Sequence, residues 1–177
     1  MKDSIVLGGG CFWCTEAAYQ LVKGVREVTP GYSRGEEDDP SYEQVCSGTT
    51  GHAEVVKVSF DPEVITLKQI LDIFWTIHDP TTLNQQGADM GTQYRSIILF
   101  SNPTQEQIAI NSLHEAQKLW DKPIVTEVLR LEKFWTAEDY HHNYFQNNPE
   151  QAYCQIVINP KLAKLRKEYS ELLNLSN

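Results

Sequence analysis

A run of three glycines followed by a cysteine constrains this chain more than any other stretch. Residues 5–7 form a short apolar run typical of a buried strand, and Gly8-Gly9-Gly10 follows it. Cys11 then precedes a helical pattern over residues 12–22, which Gly24 terminates. A thiol at the start of a helix faces free backbone N–H groups and the positive end of the helix dipole, and both favour the thiolate. The sequence therefore predicts a reactive cysteine at Cys11, with little bulk beside it.

Cys11 and Cys14 form a C-x-x-C motif that has several interpretations. At i, i+3 on a helix the two thiols share a face, so they can form a disulfide or bind a metal ion together. A zinc site needs a second pair of ligands, but the other cysteines stand alone and the five histidines form no His-x₃₋₅-His pair. We therefore predict no metal. A dinucleotide loop would need glycine at Trp13 and is rejected, whereas a buried, structural Cys11 stays an alternative.

Charge and composition narrow the classes of function. The chain carries 15 Lys and Arg against 24 Asp and Glu, a net charge of −9, which disfavours binding to nucleic acid phosphates. Hydrophobic residues make up 41% of the sequence, without an apolar run that could span a bilayer or a signal-peptide pattern. A cytoplasmic protein is expected. In such a protein, four cysteines favour redox or nucleophilic chemistry over structural disulfides.

Strand and helix patterns interleave irregularly along the chain. They predict a single, two-layer α+β domain over residues 1–177, with helices packed on a mixed sheet. Strands are predicted at 4–7, 25–28, 54–60, 94–100, 124–129 and 155–158. Helices are predicted at 12–22, 41–46, 67–77, 103–120, 137–146 and 160–173. The segments 29–40 and 81–93 are predicted to be loops, and a loop as long as the second is often functional.

Three residues could assist the thiol of Cys11 directly. Phe12 and Trp13 follow it, and one of them could hold a small apolar group such as a methyl, although most such residues are core aromatics. Glu54 begins a strand, where a carboxylate is usually solvated. In a pocket its pKa would rise, and it could then act as a general acid.

Other polar residues are ambiguous from local pattern alone. Tyr42 and Tyr94 flank polar loops and could be ordinary surface tyrosines. His141 and His142 follow acidic residues in a predicted helix, and we expect this pair to lie on a solvated face. Their pattern alone assigns none of these side chains a function.

Motifs spread in order along the chain resemble the A-type peptide methionine sulfoxide reductases. Four of them are Gly-Gly-Cys-Phe-Trp at 9–13, Thr-Gly-His-Ala-Glu at 50–54, Gly-Thr-Gln-Tyr-Arg-Ser at 91–96 and Ala-Glu-Asp-Tyr-His at 137–141. Shorter ones are Pro-Gly-Tyr at 30–32, Val-Cys-Ser-Gly at 45–48, His-Asp-Pro at 78–80 and Gln-Gly-Ala-Asp at 86–89. The resemblance implies a ferredoxin-like core and the reduction of methionine S-sulfoxide, free or in proteins, to methionine.

The resemblance also implies a role for each matching residue. Cys11 attacks the sulfoxide sulfur, and Glu54 protonates the sulfoxide oxygen as the S–O bond breaks. The supporting residues are Phe12 and Trp13 as the pocket for the substrate methyl, Tyr42 and Tyr94 as hydroxyl donors to the oxygen, and Asp89 as a polar support.

Recycling of the nucleophile is implied by the same resemblance. A second thiol condenses with the sulfenic acid on Cys11, and thioredoxin reduces the resulting disulfide, with no prosthetic cofactor. Cys154 matches a position that resolves the sulfenic acid in many members, whereas Cys14 stands where glycine is common. We expect Cys154 to face thioredoxin, with Cys14 as a rival or as an intermediate in a relay. Cys46 is expected to be structural, and a monomer fits work on exposed methionines.

Two other functions stay open at this point. The C-x-x-C motif could serve a thiol–disulfide oxidoreductase, although the thioredoxin order of elements is absent around it. It could also serve a redox-sensing or binding module without catalysis. The reductase hypothesis requires that Glu54, Tyr42 and Tyr94 converge on the sulfur of Cys11.

Overall fold

The structure, a computed structural model, describes residues 1–175 and centres on a six-stranded mixed sheet. The strands are β1 (Asp3–Gly8), β2 (Val25–Ser33), β3 (Ala53–Phe60), β4 (Gln85–Gln86), β5 (Asp89–Met90), β6 (Ile97–Phe100), β7 (Glu127–Arg130) and β8 (Trp135–Thr136). The sheet has the order β7-β6-β1-β3-β2-β8, and β4 and β5 form a separate hairpin. Only β6 and β7 pair in parallel within the described sheet. Residues 176 and 177 of the predicted domain lie outside the described residues.

The α-helices are interspersed among these strands along the chain. They are α1 (Phe12–Gln20), α2 (Tyr42–Cys46), α3 (Leu67–Ile77), α4 (Pro103–Gln117), α5 (Tyr144–Asn147) and α6 (Asn159–Tyr169). The predicted cap Thr66 starts α3 through a capping box with Gln69. A wide π turn over Cys154–Ile158 runs directly into α6.

The two faces of the sheet bury different amounts of apolar surface. In β1, Ile5 and Leu7 point to the large cluster that includes α1, α3 and α6, whereas Val6 points to the opposite face. On that opposite face Leu131 and Phe134 pack over a small apolar cluster. The predicted α+β fold, with helices packed on a mixed sheet, is thus confirmed.

Two predicted elements are wrong. Pro30 and Gly31 suggested a loop, but β2 continues through them to Ser33 in register with β3. Glycine at position 31 leaves room for the carbonyl of Trp135 in the neighbouring β8, with which it pairs. The segment 155–158, predicted as a strand from its apolar residues, is helical. Periodicity cannot separate a short apolar strand from a buried helical turn.

Several boundaries also differ from the prediction. The strand predicted from residue 94 begins at Ile97 after a 3₁₀ turn over Thr92–Tyr94, and the strand predicted at 124–129 is β7, Glu127–Arg130. The loop 81–93 contains the β4–β5 hairpin. The helix predicted at 137–146 is broken by the left-handed Asn143 (φ 55°), which separates a 3₁₀ turn from α5.

The glycine loop between β1 and α1 packs tightly against the segment that follows α3. Gly9 lies against the ring of His78, and Gly10 (φ 97°) lies against Gln86. The side-chain amide of Gln86 accepts the N–H of Asp79 at 3.0 Å and donates to the carbonyl of Asp79 at 2.9 Å. These two hydrogen bonds fix the side chain of Gln86, against which the glycine loop packs directly before Cys11.

We expect Gly10→Ala to lower the free energy of unfolding by about 2–4 kcal/mol, because it combines backbone strain with overpacking. A Cβ at position 10 would lie 2.7 Å from Cγ of Gln86. Gly48→Ala is the matched control, since Gly48 also has a positive φ of 76° but nothing within 4 Å of its Cβ position. Its loss should be about 1 kcal/mol. Urea denaturation measures both, and equal losses would contradict the packing argument.

Candidate active site

Cys11 lies where the glycine loop meets α1, and its extended backbone (φ −62°, ψ 127°) caps the helix. The residue is 7% exposed. The pKa of Cys11 is raised well above its ordinary value, chiefly by burial and also by the thiol of Cys14 and the charge of Glu54. The backbone amide of Trp13 has a smaller, opposite effect and lowers this pKa. The expectation of a thiolate at the helix start is therefore wrong for this state, because desolvation outweighs the helix dipole. Without substrate, Cys11 holds its proton.

Glu54 is the second residue of β3 and is almost fully buried, with 1% exposed. Its Oε2 atom has no hydrogen-bond partner among the described residues. Burial, followed by the charges of Asp89 and Cys14, raises the pKa of Glu54 well above its ordinary value. The side chain is therefore a carboxylic acid whose proton is available to a group that enters the site.

Tyr42 and Tyr94 bring two phenols to the same carboxyl. Burial raises the pKa of both tyrosines, and the charge of Glu54 raises each of them further. The charge of Cys11 also acts on Tyr94. Both phenols stay protonated and can donate a hydrogen bond. Residues at the start of α1, in α2 and in the turn before β6 are thus all influenced by the charge of Glu54 in β3.

The two aromatic residues after Cys11 have different surroundings. Phe12 is buried, with its ring centroid 5.7 Å from that of Tyr32 and 6.5 Å from that of Tyr42. Trp13 is half-buried, and its indole stacks on Tyr144 with centroids 3.6 Å apart and planes 5° apart. Together they form an apolar wall beside the thiol, of a kind that can hold a small alkyl group.

His141 is fully buried in this wall, so the expectation of a solvated face is wrong for it. The indole Nε1–H of Trp13 donates to Nδ1 of His141 at 3.0 Å. Because Nδ1 accepts, a neutral ring carries its proton on Nε2, which has no partner among the described residues. Burial lowers the pKa of His141 to about 4, so the ring is neutral at pH 7. In the sequence, only the motif at 137–141 indicated that His141 belongs to the site.

Glu138, to which the sequence pattern assigned no role, connects the start of α2 to Tyr32 in β2. Its Oε1 accepts the hydroxyl of Tyr32 at 3.0 Å, and its Oε2 accepts the backbone N–H of Tyr42 at 3.0 Å. Although burial raises the pKa of Glu138, these hydrogen bonds lower it below its ordinary value. The carboxylate therefore fixes the start of α2, from which Tyr42 projects.

Asp89 reaches the site through a tyrosine that the sequence reading did not single out. The hydroxyl of Tyr153 donates to Oδ2 of Asp89 at 2.7 Å and lies 3.7 Å from Sγ of Cys14. The ring of Tyr153 also meets Trp13 edge-on, with centroids 5.8 Å apart. Asp89 is thereby linked to the thiols as well as to Glu54.

The four cysteines are all free, and three of them are buried. The pKa of Cys14 is lowered to about 7, and the largest cause is a hydrogen bond with Cys11. Lys161 and Tyr153 also lower this pKa, whereas burial acts to raise it. Burial and the charge of Cys14 raise the pKa of Cys154. Cys14 is therefore hydrogen-bonded to Cys11 and influences Cys154 through its charge, whereas Cys46 is exposed.

This arrangement combines a buried thiol, a buried carboxyl group and two phenols with a second thiol that is hydrogen-bonded to the first. Among residues 1–175 no cluster of three or more His, Cys, Asp or Glu side chains is arranged to hold a metal ion. Within the same part of the chain, no helix has both the length and the apolar character needed to cross a membrane.

Comparison with known proteins gives consistent matches over nearly the whole chain. Residues 3–173 match the family described as "Peptide methionine sulfoxide reductase". A relative from Pseudarthrobacter chlorophenolicus, "Peptide methionine sulfoxide reductase MsrA", is 54% identical over 171 residues, which are 97% of this chain and 98% of the relative.

Solved structures agree with this match. Mxr1 from Saccharomyces cerevisiae in reduced form superposes with a TM-score of 0.83 at 39% identity, covering 86% of this chain and 89% of that one. Mxr1 in complex with Trx2 superposes with a TM-score of 0.59 at 28% identity, covering 81% of this chain and 84% of that one.

We expect the ultraviolet absorbance of thiolate to rise in a step near pH 7 as Cys14 loses its proton. Its pKa is lowered to about 7, so the thiolate is present above that pH and is lost as the pH falls below it. The step should disappear in Cys14→Ser and persist in the matched control Cys154→Ser. A step that survives in Cys14→Ser and vanishes in Cys154→Ser would contradict the assignment.

Proposed function

This chain belongs to the peptide methionine sulfoxide reductase family, and we propose on that basis that it reduces methionine S-sulfoxide to methionine. The substrate is the free amino acid or an oxidised residue in a protein, and the domain spans residues 1–177. The observation that carries the proposal is the buried, protonated Glu54 beside Cys11 and two phenols. Thiol–disulfide exchange has a thiolate as its leaving group, so it needs no acid and pair of phenol donors to stabilise a departing oxygen.

Substrate binding follows from the two sides of the site. The methyl on the sulfoxide sulfur packs against Phe12 and Trp13, which leaves the sulfur facing Cys11. The sulfoxide oxygen then accepts hydrogen bonds from Glu54 and from the phenols of Tyr42 and Tyr94. Asp89 acts as a polar support through Tyr153.

The chemical step transfers oxygen from the substrate to the enzyme. The sulfur of Cys11 attacks the sulfoxide sulfur, and Glu54 protonates the oxygen, which is a poor leaving group until it is protonated. Cys11 loses its thiol proton as the new bond forms, and this proton returns Glu54 to its acid form. Fixed phenol donors stabilise the charge that develops on the oxygen. In net terms, a thiol and a sulfoxide become a sulfenic acid on Cys11 and the thioether of methionine.

Recycling uses the thiols that adjoin Cys11. Cys14 attacks the sulfenic acid, so that water leaves and a Cys11–Cys14 disulfide forms. Cys154 then attacks Cys14, which frees Cys11 and moves the disulfide toward the C-terminal helix. Two electrons from a thioredoxin dithiol reduce this disulfide, and no prosthetic group or metal is required. The solved complex of the similar Mxr1 with Trx2 supports thioredoxin as the partner.

We further propose that the enzyme repairs oxidised methionines in the cytoplasm under oxidative stress and acts there as a monomer. Four free cysteines fit a reducing compartment, in which disulfides form only transiently. Exposed methionine sulfoxide in a protein chain can enter a single site without a second subunit.

The first test is the formation of methionine from free methionine S-sulfoxide with dithiothreitol as reductant. Wild-type protein should produce methionine, while Glu54→Gln should bind the sulfoxide but lose roughly 10²–10⁴ in single-turnover rate, the usual contribution of a general acid. The pKa of Glu54 is raised, so its proton is present below that pKa and is lost as the pH rises through it. The wild-type rate should fall on the alkaline side, and the variant should lack this limb.

Glu63→Gln is the control, since it makes the same change at an exposed glutamate beyond the far end of β3. It should keep the wild-type rate and pH profile. Wild-type turnover by Glu54→Gln would remove the role assigned to this acid. Failure of the wild-type protein to form methionine would remove the reductase function altogether.

The recycling order can be tested with single cysteine variants. Cys14→Ser should release one equivalent of methionine, accumulate sulfenic acid and stop turning over with thioredoxin. Cys154→Ser should still form the Cys11–Cys14 disulfide but turn over poorly with thioredoxin, and Cys46→Ser should behave as the wild type. Mass spectrometry of the disulfides reads the order. A direct Cys11–Cys154 disulfide in Cys14→Ser, formed at the wild-type rate, would exclude the relay.

A further inference from the structure

The orientation of the Trp13 indole depends on a short segment far away in sequence. Its face stacks on Tyr144 with centroids 3.6 Å apart, and its Nε1–H donates to His141 at 3.0 Å. Both partners lie within nine residues, from the 3₁₀ turn Asp139–His141 to the end of α5. The position of the Trp13 indole in the apolar wall beside the thiol therefore depends on how firmly this segment is held.

That segment has little regular structure of its own. The 3₁₀ turn has three residues and α5 has four, and Asn143 between them adopts a left-handed conformation with φ 55°. A helix of one turn is not stable in isolation, because few hydrogen bonds offset the cost of ordering its backbone. A left-handed asparagine adds strain that the surroundings must balance. Contacts from outside are needed to hold the segment.

Those contacts come from α1, the same helix that carries Trp13. Oε1 of Glu16 accepts the backbone N–H of Asn143 at 2.9 Å, and Gln20 donates its side-chain amide to Oδ1 of Asn143 at 2.7 Å. Burial has the larger effect on the pKa of Glu16 and raises it, whereas the backbone amide of Tyr144 acts to lower it. Trp13, Glu16 and Gln20 follow one another at i, i+3 and i+7, so they lie on one face of α1.

Glu16 is an unusual residue to find buried for stability alone. It is 1% exposed, and its Oε2 has no partner among the described residues. Glu16 also lines a cavity of about 690 Å³, together with Gln20 and Asn143. A buried carboxyl oxygen without a partner lowers stability, and an apolar side chain of similar size would avoid that cost. What Glu16 supplies is an acceptor for the backbone N–H of Asn143, the residue directly before α5.

We infer that Glu16 is a positioning residue for substrate recognition, which holds Asn143 and Tyr144 so that the Trp13 indole closes the methyl pocket. This inference rests on the proposed function, because it assigns the indole to the methyl of the sulfoxide. Glu16 touches neither the substrate nor the reacting atoms. Its loss should affect binding and selectivity for the alkyl group more than the chemical step, which Cys11 and Glu54 carry out.

The test compares Glu16→Ala with Glu16→Gln, which keeps an Oε1 acceptor for Asn143. In single turnover, Glu16→Ala should raise the half-saturating concentration of methionine S-sulfoxide roughly tenfold, within the penalty of about 10²-fold for a misplacement of about 1 Å. The rate at saturation should stay within about twofold. The preference for a methyl over an ethyl sulfoxide should fall several-fold, and Glu16→Gln should restore wild-type values.

A spectroscopic readout makes the test independent of activity. The indole N–H of Trp13, assigned by its absence in Trp13→Phe, should exchange slowly with solvent in the wild type and at least about tenfold faster in Glu16→Ala. If the wild-type protein forms no methionine, the proposed function fails, and this exchange rate still decides the positioning role. An unchanged exchange rate in Glu16→Ala would overturn the inference.

Stability effects are separated by a control in the core. Leu71→Ala removes a fully buried side chain of α3, and its loss of Tm provides the comparison for Glu16→Ala. An equal rise in half-saturating concentration in Leu71→Ala would overturn the inference, as would a Glu16→Gln variant no better than Glu16→Ala. If Glu16→Ala does not fold, Glu16→Asp, one methylene shorter, should show the same change in binding and exchange. Wild-type values in Glu16→Asp would then overturn it.

Discussion

Removal of the reacting groups from water is the constraint on which the rest of the structure depends. Burial keeps a proton on Cys11 and on Glu54. In water near pH 7 the carboxyl group would be ionised, and a fraction of the thiol would be ionised as well. To create that environment, the sheet, the glycine loop and the first helix must pack closely around a few polar atoms. The tight contacts of Gly9 and Gly10 and the neutral His141 all serve this exclusion of solvent.

The sequence predicted those elements whose local pattern agrees with their surroundings. The strand–glycine–helix unit around Cys11, the strand that ends at Phe60 and the helix capped by Thr66 all appear as expected. Prediction failed where tertiary contacts decide. Pro30 and Gly31 form loops in most settings, but here the strand β3 holds them extended, and an apolar run near the C-terminus turns helical against α1.

The sequence predicted the reacting groups of the site better than the residues that hold those groups in place. The thiol, the carboxyl and the two phenols can be identified from their residue types and from the motifs that contain them. Glu138 and His141 do not, because each acts through a hydrogen bond to a residue about a hundred positions away or more, and an acidic stretch with histidines looks solvated. The protonation state of Cys11 was also out of reach, since local sequence shows the helix dipole but not the depth of burial.

The wide turn at Cys154–Ile158 makes the C-terminal cysteine unusually sensitive to chain length. Successive residues of an α-helix are rotated by about 100°, so one inserted or deleted residue in this stretch swings every preceding side chain around the axis. Cys154 faces inward here, while Ile156, two positions later, is 73% exposed. The inward direction of Cys154 thus depends on the exact number of residues in this turn, and an insertion or deletion of one residue would turn Cys154 away from the interior while leaving all four cysteines in the sequence.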